Sequence, residues 1–183
     1  MTPESCGISS LTTPQNHLHL SSTDREESIT RTHINHIYDT VAENGPLHPA
    51  VADSQNALGL IYHHVLHEEQ KSFSCHLAAL RNLLICYQKP QHRNEKIIIQ
   101  ISITIHDLGN VHWAEGDLEK AIDSYREALG LLLGIGLTAS HPRCVSLVNR
   151  LMKLNGEDEF RKTRPIIKIE KGLILSKRFC SFC

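Results

Sequence analysis

The chain has 183 residues, 40% hydrophobic and 21% charged, an ordinary balance for a soluble globular protein that argues against wholesale disorder. Lysine and arginine number 19 against 20 acidic residues, so the net charge of −1 lacks the basic excess on which nucleic-acid affinity rests, and no nucleic-acid partner is expected. No run of 18 apolar residues occurs and the first 20 residues lack a basic stretch followed by an apolar one, so a cytoplasmic protein without a membrane span is expected.

Residues 1–22 are rich in Ser, Thr, Pro and Asn without a period and read as a disordered tail. Thr23 and Glu26 have capping-box spacing, and Ile29, Ile34, Ile37, Tyr38 and Val41 then recur at helical intervals. A helical half-unit is therefore predicted over residues 23–45, stopped by Asn44-Gly45-Pro46. From there to residue 154 the chain repeats. Leu58-Gly59 matches Leu108-Gly109 at an offset of 50, and Ala79-Leu80 matches Ala128-Leu129 at an offset of 49. His48-Pro49 and His141-Pro142 each open a helix with proline at its first position, and Pro90 stands near the midpoint between them.

These markers divide residues 23–155 into the half-unit, a unit over 47–88, a unit over 95–136 and a trailing helix over 142–154. Each unit reads as two helices. In the first, Phe73, His76, Leu77, Leu80 and Leu84 form the apolar stripe of the second helix. In the second, the first helix ends at Glu115-Gly116, and Asp117 caps a helix with Leu118, Ala121, Ile122, Tyr125, Ala128, Leu129 and Leu132 on one side. The run from Ile97 to Ile105 is β-branched and alternating, which locally favours a strand, yet its place in the period predicts helix. Residues 156–183 lose the pattern and read as an irregular basic tail.

The run from Asp107 to Leu129 resembles a tetratricopeptide repeat, with Leu108-Gly109, Gly116-Asp117, Ala121, Tyr125 and Ala128 in place. The long period and the His-Pro openings resemble the kinesin light chain type of repeat. Ser72 and His76 depart from the small and aromatic residues of that pattern, His112 from an aromatic and Met152 from glycine. The resemblance implies an all-α fold, a short right-handed superhelix of antiparallel helix pairs, and a concave groove that binds a peptide or partner protein. It places Asn56, Leu60, His63 and His64 in that groove from the first unit, His106, Asn110 and Trp113 from the second, and Asn149 and Lys153 from the trailing helix. Asparagine suits the role because a carboxamide donates and accepts hydrogen bonds. So small an array is expected to be modestly stable, or to be completed by a partner or by self-association.

Catalysis has no support. No phosphate-binding glycine loop, nucleophile elbow or zinc-protease motif is present, and neither a cofactor nor a metal is expected. An alternative reading is a metal- or thiol-dependent protein that uses His63, His67 and Cys75, or the Cys180–Cys183 pair, which also has the form of a prenylation box. A further alternative is a truncated repeat fragment without independent function. The six cysteines are scattered, as fits thiols kept reduced, and Cys75 and Cys144 fall at helical positions that favour burial.

Overall fold

A computed structural model describes residues 21–155. The expectations for residues 1–20 and 156–183, the terminal cysteines and the basic tail among them, lie outside the described residues. Six α-helices follow one another: α1 (Ser22–Asn44), α2 (Pro49–His64), α3 (Glu69–Gln88), α4 (Glu95–Ala114), α5 (Leu118–Gly134) and α6 (Pro142–Asn155). The described residues contain no strand, and no helix among them is long and apolar enough to cross a membrane.

Local chemistry fixes the helix ends. Ser21 Oγ accepts from Asp24 N at 3.1 Å while Asp24 Oδ2 accepts from Ser21 N at 3.3 Å, so the capping box lies two residues before the predicted Thr23–Glu26 box. Gly45 ends α1 with φ +83°, a conformation most side chains avoid. The two His-Pro openings work through the histidine as much as the proline. His48 Nδ1 accepts from Ala50 N at 3.2 Å, and His141 Nδ1 accepts from Arg143 N at 3.3 Å, each satisfying a first-turn amide that has no partner within its helix. Pro90 opens no long helix. It starts a 3-10 turn over Pro90–His92, and α4 is capped instead by Asn94, whose Oδ1 accepts from Ile97 N at 3.1 Å. Asp117 Oδ1 accepts from Lys120 N at 3.2 Å to start α5.

Each helix packs against the next, most extensively α2 with α3 and α4 with α5. These two pairs are antiparallel, since hydrogen-bond partners advance along one helix as they retreat along the other. Asn56 bonds His76 and Gly59 bonds Ser72; Ser102 bonds Ala128 and Asn110 bonds Tyr125. Helices α2 and α4 lie side by side and parallel, joined by Gln100 to Asp53 at 2.8 Å and by Asn56 to Thr104 at 2.7 Å. The two hairpins therefore touch directly, and a single apolar core runs from Ala52 of α2 through α3, α4 and α5 to Leu151 of α6.

The Ile97–Ile105 run lies inside α4, with Ile97, Ile98, Ile101 and Ile105 buried. Burial on several sides is what lets so apolar a sequence stand as a helix. Leu118, assigned to the apolar stripe of α5, is instead exposed at the first turn, while Ala121, Tyr125, Ala128 and Leu132 are buried.

The closest crossings repeat between hairpins. A Cβ on Gly59 would lie 2.7 Å from the His76 ring, and one on Gly109 would lie 2.6 Å from the Tyr125 ring. His76 thus occupies the place of an aromatic against the facing glycine, despite its departure from the repeat pattern. Alanine ordinarily stabilises a helix by up to about 1 kcal/mol over glycine, whereas overpacking costs about 1–3 kcal/mol. Gly109→Ala is therefore expected to destabilise the protein in urea denaturation, and unchanged or increased stability would contradict the crossing.

Candidate functional site

Three helices meet at one open cavity of about 280 Å³. His63 and His64 come from the last turn of α2, Asn110, Trp113 and Ala114 from the end of α4, and Arg150 from α6. Four of the nine residues placed in the groove by sequence, His63, His64, Asn110 and Trp113, line it. Lys153 stands beside it, its Nζ 4.8 Å from the centre of the Trp113 ring, and the Arg150 guanidinium lies 5.7 Å from the same ring. Both cations thus rest against the negative face of an indole, an arrangement worth about 0.5–1 kcal/mol at exposed sites.

The other residues fall elsewhere. Asn56 is buried behind the cavity, its Oδ1 bonded to His76 Nδ1 at 2.9 Å and its Nδ2 donating to Thr104 Oγ1 at 2.7 Å. The Asn56 carboxamide joins α2, α3 and α4. Leu60 and His106 are half-buried, Asn149 is exposed, and none of the three lines the cavity. Asn110 Oδ1 accepts from Tyr125 Oη at 2.8 Å, which orients the carboxamide at the cavity wall.

Sequence reasoning passed over Arg150 and Asp107. Arg150 follows Asn149 by one residue, and only its long side chain brings it over Trp113 and, at 5.8 Å, over the Tyr125 ring. Asp107 is buried one turn before Asn110, which donates to its Oδ1 at 3.4 Å. The spacing of Arg143 and Arg150, seven residues apart on one helical face, is a signal that could have drawn attention to α6.

Charge in this region is shaped by burial. Desolvation pushes Asp107 up to about 7, opposed chiefly by the positive charge of Arg150. Desolvation holds His106 at about 4, helped by Arg150 and Arg143, and His76 at about 4, helped by His63 and His64. His64 is lowered too, by burial and by His63, whose ring centre is 4.5 Å away. His63 Nδ1 lies 2.6 Å from Glu69 Oε2 across the turn between α2 and α3. Burial thus disfavours charge on His64, His76, His106 and Asp107, while the Arg150 guanidinium lines the cavity and Lys153 stands beside it.

Comparison with protein-family profiles and with curated proteins finds no match.

Among the described residues no group of three or more His, Cys, Asp or Glu is placed to hold a metal ion. His63 and Glu69 pair with each other, while exposed His67 sits in the turn at φ +53°. Cys75 is half-buried and Cys86 and Cys144 are buried, and burial pushes all three thiols up, away from the reactive thiolate.

The shifted groups oppose one another in acid. His76 and His106 bind protons less readily when folded than their ordinary 6.5, so the stability they contribute is full above that value and lost as pH falls toward about 4. Asp107 binds its proton more readily than its ordinary 3.8, so its contribution is full below that value and lost as pH rises through about 7. Asp107→Asn is expected to raise stability at pH 8, by on the order of 1–2 kcal/mol, and to steepen the loss between pH 6.5 and 4. Urea midpoints measured across this range check the sign, and a destabilised variant at pH 8 would refute it.

Proposed function

We propose that this chain is a non-catalytic interaction module of the tetratricopeptide type, similar to the kinesin light chain repeats, that holds an extended peptide in a groove formed by α2, α4 and α6. Successive helix pairs in this reading coil into a short right-handed superhelix, and the first helix of each pair lines its inner face. The observation that carries the proposal is the convergence of His63, His64, Asn110, Trp113 and Arg150, residues from those three helices alone, on one cavity. Rigid repeat surfaces with concave faces are suited to holding chain segments. A cytoplasmic setting is part of the proposal and agrees with three free cysteines at Cys75, Cys86 and Cys144.

The chemistry at the rim selects the peptide. Arg150 and Lys153 offer two cations beside an indole, so the favoured segment carries an aspartate or glutamate, with an apolar neighbour against Trp113. Asn110 Oδ1 is taken by Tyr125 and one Nδ2 hydrogen by Asp107, so the second Nδ2 hydrogen is what this carboxamide offers a peptide carbonyl.

Trp113 is the single tryptophan of the chain, so its fluorescence reports on the cavity alone. Titration with pools of extended peptides bearing central Asp or Glu is expected to give saturable changes that weaken with salt. Matched Asn and Gln pools should bind more weakly, and Arg150→Ala should lower affinity for the acidic pool about tenfold, equivalent to about 1.4 kcal/mol. Equal responses to the acidic and amide pools would defeat the charge assignment, and no saturable response to any pool would defeat the groove.

A further inference from the structure

The cavity at Trp113 is one end of a longer furrow. Along α2, Asp53, Ala57, Leu60 and His64 follow at intervals of four, three and four residues, so they share one face of the helix. Along α4, Gln100, Ile103, Asp107 and Asn110 follow at intervals of three, four and three, and they too share a face. His64 and Asn110, at the C-terminal ends of these stripes, line the cavity. At the N-terminal ends the stripes are clasped together, because Gln100 Nε2 donates to Asp53 Oδ1 and Oδ2, each at 2.8 Å. Helices α2 and α4 are parallel neighbours, so the furrow between them runs from this clasp to the cavity.

Its two ends differ in charge. Arg150 and Lys153 of α6 stand at the cavity, both against the Trp113 ring. The third cation of α6, Arg143, bears on His106, midway along α4. At the clasp, Asp53 is exposed and its carboxylate meets Gln100 rather than a cation. Lys96, one turn before Gln100, is exposed and forms no ion pair with Asp53. Between the ends, Ala57, Leu60 and Ile103 are half-buried and Asp107 is buried, so Asp53 is the exposed anion of the two stripes.

Gln100 adds a second acceptor. The side chain is buried, and with its nitrogen fixed on Asp53 its Oε1 is left without a donor. A carboxylate beside an unsatisfied carbonyl oxygen is answered by a cation with several N–H donors.

We infer that the segment held in this furrow is bipolar, with an aspartate or glutamate at Arg150 and Lys153 and a lysine or arginine on Asp53 and Gln100. The inference rests on the groove reading above and adds to it the second charge that a ligand must carry. Helix geometry sets the spacing. Asp53 and His64 are eleven residues apart, a rise of about 17 Å that an extended chain covers in about five residues. Apolar residues between the two charges fit Leu60 and Ile103. Opposite charges at two points also fix which way round a segment lies, since reversal sets like charges together.

The test titrates the full chain with capped peptides of otherwise uncharged sequence, read by Trp113 fluorescence. One peptide carries a single Glu, and three others add a Lys two, five or nine residues from it. The five-residue spacing is expected to bind about fivefold tighter than the Glu-only peptide, and the other spacings to gain little. Asp53→Asn keeps an oxygen for Gln100 Nε2, and should abolish that gain without weakening the Glu-only peptide. Asp53→Lys should move the gain to a peptide with Glu at both positions. Circular dichroism of both variants checks that they are as helical as the parent.

A Lys that adds nothing at any spacing overturns the inference, as does an equal gain at all three spacings or a gain that survives Asp53→Asn. Normal binding of the Glu-only peptide beside any of these results leaves the groove standing and removes the bipolar ligand alone. No saturable response to any peptide removes both.

Discussion

Two close helix crossings carry this architecture. Where α2 meets α3, the absence of a Cβ at Gly59 admits the imidazole of His76, and where α4 meets α5, its absence at Gly109 admits the phenol of Tyr125. A ring seated against bare backbone draws two helices together and aims its polar atom at the facing helix. In the first hairpin that atom meets Asn56, and in the second it meets Asn110. The same packing solution therefore produces two oriented carboxamides with different fates. Asn56 reaches on to Thr104 and ties the hairpins together, while Asn110 is left at the wall of the cavity.

The period of about 50 residues was legible because size-restricted pairs, Leu58-Gly59 with Leu108-Gly109 and Ala79-Leu80 with Ala128-Leu129, mark where backbones approach. All-helical structure followed from the same spacing, even over Ile97–Ile105, where local preference runs the other way. That segment is helical because α3, α5 and α2 all pack against α4, so isoleucines on several faces find apolar neighbours. Periodicity says little about how a helix begins. It marked the prolines of the two His-Pro openings, but the capping bonds come from the histidine rings, and at Pro90 the same marker produces only a short 3-10 turn.

The site was less legible for a physical reason. A polar residue on the inner side of a helix meets either solvent or a side chain from a distant part of the sequence, and spacing does not distinguish the two. Asn56 meets Thr104, 48 residues away, and is enclosed. Arg150 shows the converse: spacing marks it with Arg143 as one face of α6, but not that its guanidinium reaches over Trp113. Burial disfavours charge behind the wall, lowering His76 and His106 and raising Asp107, whereas the cations of α6 stand at the cavity itself.

Everything at the cavity presupposes that the two hairpins support one another through α4. Native-state hydrogen exchange along that helix measures this directly. Mutual support predicts that amides from Ile101 to Val111 exchange most slowly of all described residues, opening only with the whole core, and that Gly59→Ala in the neighbouring hairpin accelerates them together. Rapid exchange over Ile97–Ile105, or α4 amides indifferent to that substitution, would contradict the account.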